Sequence, residues 1–345
     1  MNEKSFGDDS RYYSSPRLPD RQVGITGDSP MESRIRHLLS SQKVETQSIV
    51  EKACKQANLA VREYLRDETA LKISHPGRRQ TVPFQVVDGL PRSLEQRLEQ
   101  LPEDIFLFLM QSRHLLNQGH SALQLLDKNL HQVLQAFEAE DSGEKIGLNK
   151  SLKLIENVLD KINLIKLPEL ILNINEDVMG AYFYKIPGIQ IYWMPIGLIA
   201  GALDITVDDL SFIVLAHELA HAYTHLGLDI DKIQWQTEMF ANANLMIVEG
   251  LAQFYTEGIC KKLEPNNPKL LKAFYKLLDH QPPPYTHFRE WADKHASEVV
   301  RFTLIATRSN NILKYGQFLN IMKEIEEKIP NHRGQYHRTN NVWQQ

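Results

Sequence analysis

Residues Ser211-Phe-Ile-Val-Leu-Ala-His217-Glu218-Leu-Ala-His221-Ala-Tyr223 form an apolar run interrupted by two histidines and one glutamate. Thr206, with Asp209 three residues later, is a capping-box pattern and predicts a helix starting at Val207. Gly227 is a natural stop for it. Phe212, Ile213, Val214, Leu215, Ala216, Leu219, Ala220 and Ala222 make this helix apolar nearly all round, and such a helix is buried. Burying two histidines and a glutamate without a partner would be costly.

On that helix His217 and His221 lie one above the other on the same face. Their ring nitrogens can meet one ion at about 2.0–2.1 Å. Glu218 sits about 100° round from His217. That is too far round to share the ion, but close enough to take a proton from a water that the ion activates. This is the physical content of H-E-x-x-H. The competing account is two core or surface histidines beside a solvated glutamate. The apolar surroundings speak against it.

A catalytic zinc site usually takes three protein ligands. His225 is disfavoured as the third, since it lies about 12 Å from His217 along an unbroken helix. A helix-end histidine near the negative end of the dipole is the expected role. Glu249 is the better candidate. It is acidic in an apolar stretch, Met246-Ile-Val-Glu249-Gly-Leu-Ala252-Gln253-Phe-Tyr255, within a segment expected to be helical from Ile233 to Leu263. Gly250 and Ala252 are small and would let this segment approach the histidine helix. Glu238 is the runner-up, in the more polar Gln236-Thr-Glu-Met context.

His217-Glu-Leu-Ala-His221 followed by a helical Glu249-Gly-Leu-Ala resembles the gluzincin class of zinc metallopeptidases, over roughly residues 180–263. The resemblance implies His217, His221 and Glu249 as zinc ligands and Glu218 as the general base. It also implies a strand antiparallel to the substrate, for which Gly180 to Tyr184 and Ile189 to Trp193 are the candidates. Two departures stand out. Twenty-seven residues separate His221 from Glu249, more than in the best-known aminopeptidase members. Gln253 stands where some members carry an aspartate that orients a ligand histidine; a glutamine can still accept from an imidazole N–H.

Peptidase chemistry needs a donor for the developing oxyanion. Tyr255, Tyr285, His287 and Tyr315 are candidates, each weighed against core packing or surface exposure. Tyr285-Thr-His287 follows a triple proline that would hold the loop rigid. Asp229 and Asp231 are expected to close a turn rather than bind metal. Cys54 could cap the metal and hold the site latent, against the plainer role of a small buried cysteine.

The chain has 345 residues, enough for two domains or one large domain with an extension. Residues 1–30 are expected to be a flexible tail, 31–167 a helical N-terminal region, and 168–345 a zincin-like catalytic domain. The fold class is α+β, mainly helical, with a small mixed sheet. Expected elements include a helix through Ile49–Leu65, a turn-rich link around His75-Pro76-Gly77 and Pro83, two helices between Ile105 and Phe137, another over Leu148–Ile165, and a loose end at His332–His337.

The net charge of −4 gives no electrostatic reason to bind nucleic acid or an anionic membrane. No apolar run approaches the ~18 residues of a membrane span, and the first residues lack the apolar core of a secretory signal. Two distant cysteines exclude a disulfide framework and favour a cytoplasmic setting. The expectation is therefore a zinc-dependent peptidase acting on a protein or peptide, with the N-terminal helical region docking a partner or gating the cleft. The alternatives are a non-proteolytic, metal-stabilised binding or regulatory protein, and a zinc hydrolase of another substrate class.

Overall fold

In a computed structural model of the protein, residues 25–26, 29–40, 46–73, 82–99, 122–123, 125, 149–157, 172 and 178–329 are described. Most of the expected tail, the His75-Pro76-Gly77 link, nearly all of Ile105–Phe137, half of Leu148–Ile165 and the His332–His337 end lie outside them.

Strand β1 (Ile25–Thr26) pairs antiparallel with β3 (Leu90–Pro91), flanked by helices α1 (Pro30–Ser40), α2 (Thr46–Thr69) and α3 (Arg92–Leu98). A three-stranded mixed sheet has the order β2 (Phe84–Val87), β5 (Gly188–Tyr192), β4 (Gly180–Phe183). β4 and β5 form the expected hairpin across the Tyr184–Pro187 turn, with Gly180 opposite Ile191 and Phe183 opposite Gly188. β2 joins the far side of β5 in parallel, Phe84 opposite Ile189 and Val87 opposite Tyr192.

The remainder is helical: α4 (Trp193–Leu203), α5 (Val207–Leu226), α6 (Thr237–Asn242), α7 (Leu245–Leu263), α8 (Pro268–Leu278), α9 (Pro283–Thr286), α10 (Arg289–Ala292), α11 (Ser297–Ser309) and α12 (Tyr315–Lys328). The protein is thus mainly helical with a small mixed sheet. One hydrophobic cluster runs from Met31 to Met322, so the described residues on either side of residue 168 share a core.

α5 starts where its cap predicts. The Thr206 hydroxyl accepts from the Asp209 N–H at 3.1 Å, and Gly227 ends the helix, its N–H bonded to the Tyr223 carbonyl. α2, α7, α8 and β4 all pack on α5, which is why it tolerates an apolar surface all round. At its C-terminus the buried Arg308 of α11 donates to the carbonyls of Gly227 and Ile233. A buried cation there opposes the negative end of the helix dipole.

The segment from Ile233 to Leu263, expected as one long helix or two collinear ones, forms two helices, α6 and α7, the first starting at Thr237. Asn244 stands between them and caps α7, its side-chain oxygen accepting from the Met246 N–H at 2.9 Å. An asparagine in that position favours a cap over helix continuation. Asp229 closes the turn after α5, accepting from the Ile233 N–H at 2.7 Å.

Candidate metal centre

α5 presents His217, Glu218 and His221, and α7 lies against it with Glu249 facing the histidines. The three candidate ligand atoms converge. His217 Nε2 and His221 Nε2 are 3.0 Å apart, and Glu249 Oε2 lies 3.1 Å from the first and 3.3 Å from the second. A tetrahedral centre with ~2.0–2.1 Å bonds has edges of about 3.3 Å, so this triangle has the size of one tetrahedral face. His217 is 8%, His221 1% and Glu249 1% exposed.

The residues fit a metal ion on chemical grounds. Two imidazole nitrogens and a carboxylate oxygen are the donor set of a catalytic zinc site. A buried carboxylate needs a counter-charge or good hydrogen bonds, and one cation held by His217, His221 and Glu249 would supply it. Glu238, the runner-up, is exposed on α6. His225 is taken up elsewhere. Its Nδ1 lies 2.8 Å from the Tyr182 hydroxyl, its Nε2 lies 3.2 Å from Thr237 Oγ1, and its ring stacks on Phe240. Burial first, and Arg308 second, lower its pKa to about 4, so the ring is neutral.

Glu218 lines an open cleft, which His217, Gly180, Val214, Gln253 and Tyr285 also line. Gly180 makes room for the carboxylate. A Cβ at that position would meet Val214 Cγ1 at 2.7 Å and Glu218 Oε1 at 3.1 Å.

β4 is one of the two edge strands of the described three-stranded sheet. The Tyr192 N–H donates to the Met179 carbonyl at 2.9 Å. By antiparallel alternation, Met179, Ala181 and Phe183 therefore turn their main-chain groups toward β5, while Gly180 and Tyr182 turn theirs to the side on which no strand pairs among the described residues. That edge runs beside Glu218.

Of the four proposed oxyanion donors, the structure brings Tyr285 to the cleft. Its ring centroid is 5.8 Å from that of His217, tilted by 31°. α9 packs on α7 and follows Pro282, which sets Tyr285 in place. Tyr255 is buried on α7 with its ring against Phe254, and burial raises its hydroxyl pKa. His287 stacks on Tyr315, and the His287 ring lies 3.4 Å from Glu290. Gln253 is buried in the cleft wall and donates from Nε2 to Gln281 Oε1 at 3.1 Å. The Cys54 thiol meets the Ser211 carbonyl at 3.9 Å, under the first turns of α5.

Three residues of the site were not singled out from sequence. Gly180 was placed in a strand, but nothing there marked its contact with Glu218. Gln281 needed the α7–α9 packing to be seen. Phe240, whose ring meets His221 edge-on at 6.4 Å and stacks on His225, shows in the sequence only as an apolar residue between Met239 and Ala241.

Comparison with known proteins finds no matching family model, no similar curated protein and no similar solved structure.

Proposed function

We propose that this protein is a zinc-dependent peptidase. The observation that carries the reading is the buried His217–His221–Glu249 triangle, with Glu218 beside it on the wall of an open cleft. His217, His221 and Glu249 would hold the ion. When bound, zinc supplies Lewis acidity to a water and to a carbonyl. Glu218, next to His217 in the chain and facing the cleft, takes the proton of the attacking water and passes it to the leaving amine. The outward main-chain groups of Gly180 and Tyr182 offer pairing to an extended peptide, which lays its backbone across Glu218. Tyr285, which also lines the cleft, donates to the oxyanion.

The test is Glu218→Gln. The expected result is zinc content equal to wild type with peptide hydrolysis lowered by about 10²–10⁴-fold. Full hydrolysis by the variant would remove Glu218 from the chemistry. Wild-type protein that holds zinc and cleaves no peptide would leave the metal as a scaffold element.

A further inference from the structure

His217, His221 and His225 follow one another at four-residue steps along one face of α5. The first two bring Nε2 to within 3.1 Å and 3.3 Å of Glu249 Oε2. The third is clamped at both ring nitrogens, by the Tyr182 hydroxyl of β4 and the Thr237 hydroxyl of α6. That clamp makes His225 a fixed platform.

The Phe240 ring stacks on the platform, with centroids 4.6 Å apart and planes 18° from parallel. The same ring reaches one turn back along the row and meets His221 at 6.4 Å and 78°. Both contacts lie within the range of favourable aromatic pairs. Phe240 is itself held: it is buried, and Tyr182, Tyr184 and Trp235 meet its ring at 81°, 71° and 84°. A ring packed in this way cannot shift without opening a void. The ring torsion of a histidine, by contrast, is intrinsically soft, and a small rotation of His221 would swing Nε2 away from the other two ligand atoms.

Building on the metal-binding part of the reading above, and not on peptide cleavage, we infer that Phe240 is a positioning residue: braced on His225, it limits the ring rotation of His221 and keeps its Nε2 turned to His217 and Glu249. The third histidine of the row, which takes no part in the triangle, thus serves the second one through an intervening ring. Groups that support a ligand histidine without touching the ion set both the affinity and the geometry of the ion. Phe240 lies on α6, in the segment that joins the two ligand-bearing helices α5 and α7, so one ring also ties β4 to the ligand row.

The experiment uses the full chain, loaded with cobalt(II) in place of zinc, whose visible absorption follows the geometry of its ligands. Zinc affinity is measured alongside by competition with a chelator. Phe240→Leu and Phe240→Met remove the ring and keep an apolar side chain. Each should shift the cobalt bands and weaken zinc binding by about 10–100-fold. Phe240→Tyr keeps the ring and should retain the wild-type bands and affinity. Phe318→Leu serves as the control. It opens a void in the core of α12 against Trp291, away from the histidine row, and should lower stability with bands and affinity unchanged. Wild-type bands and affinity in folded Phe240→Leu or Phe240→Met protein overturn the inference. An equal loss in Phe318→Leu overturns it as well, since general loosening would then be the cause. Neither readout needs a substrate, so the result stands whether or not the protein cleaves peptides. A wild type that binds neither cobalt nor zinc overturns the inference and the metal reading together.

Discussion

Gly180 and Glu218 share one volume. A methyl group on the glycine would come within 3.1 Å of the Glu218 carboxylate and 2.7 Å of Val214 Cγ1. The edge strand can lie this close to the motif helix because position 180 carries no side chain. Gly180→Ala therefore has to move the strand or the base. The expected outcome is a loss of about 1–3 kcal/mol in stability and a fall in peptide hydrolysis, with zinc still bound. Denaturant unfolding, metal analysis and kcat/KM on one preparation would separate these effects. A fully active, equally stable variant would show that the contact is slack.

The choice of acid can be tested by metal binding alone. Glu249→Ala and His221→Ala should each weaken zinc binding beyond the ~10–100-fold typical of an outer-sphere partner. Glu238→Ala should leave it unchanged, since that side chain is exposed on α6. Competition with a coloured chelator gives the three constants. Normal affinity in Glu249→Ala would mean that the buried carboxylate serves the core instead.

Among the four candidate donors only Tyr285 lines the cleft. Tyr285→Phe should lower kcat by about 10²–10³-fold, the usual effect of losing one oxyanion donor, with KM and zinc affinity little altered. Tyr255→Phe, His287→Ala and Tyr315→Phe should not reproduce that pattern. A silent Tyr285→Phe variant would sink the assignment.

The His217–His221–Glu249 triangle was legible because helical spacing is rigid. Residues 217 and 221 must share a face wherever the helix goes, and an acid in an apolar helix has few stable fates. The cap at Thr206 and the Gly180–Tyr192 hairpin are equally local, and both formed where their residue patterns put them. What was not legible depends on distant parts of the chain. β2 pairs with β5 across about a hundred residues, and nothing in Pro83-Phe-Gln-Val-Val-Asp-Gly names its partner. The break between α6 and α7 turned on Asn244, whose capping competes with helix propensity by only about 1 kcal/mol. Choosing Tyr285 over the other donors needed the packing of α9 on α7.

His225 makes stability depend on pH in a defined direction. Burial and Arg308 hold its folded pKa near 4, against about 6.5 in an unfolded chain. Between those values the unfolded chain binds a proton that the fold refuses. Stability is then fully present above pH 6.5 and falls as the pH drops toward 4, by up to about 3 kcal/mol. His225→Gln keeps polar atoms near Tyr182 and Thr237 and removes this titration. Its melting temperature should fall less steeply than that of wild type between pH 6.5 and 4.5. Parallel curves would assign the acid sensitivity to other groups.

α2 forms one wall of the motif helix, and β2 flanks the strand next to β4. α2 and β2 are therefore built into the scaffold beneath the histidines. A fragment begun at residue 168 would bare the greasy flank of α5 and strip β5 of one neighbour. During synthesis the ordering is equally strict. β2 must wait for its mate β5 to leave the ribosome about a hundred residues later, and Glu249 emerges later still. A shortened product at either end would carry the two histidines without the frame that brings them to their acid.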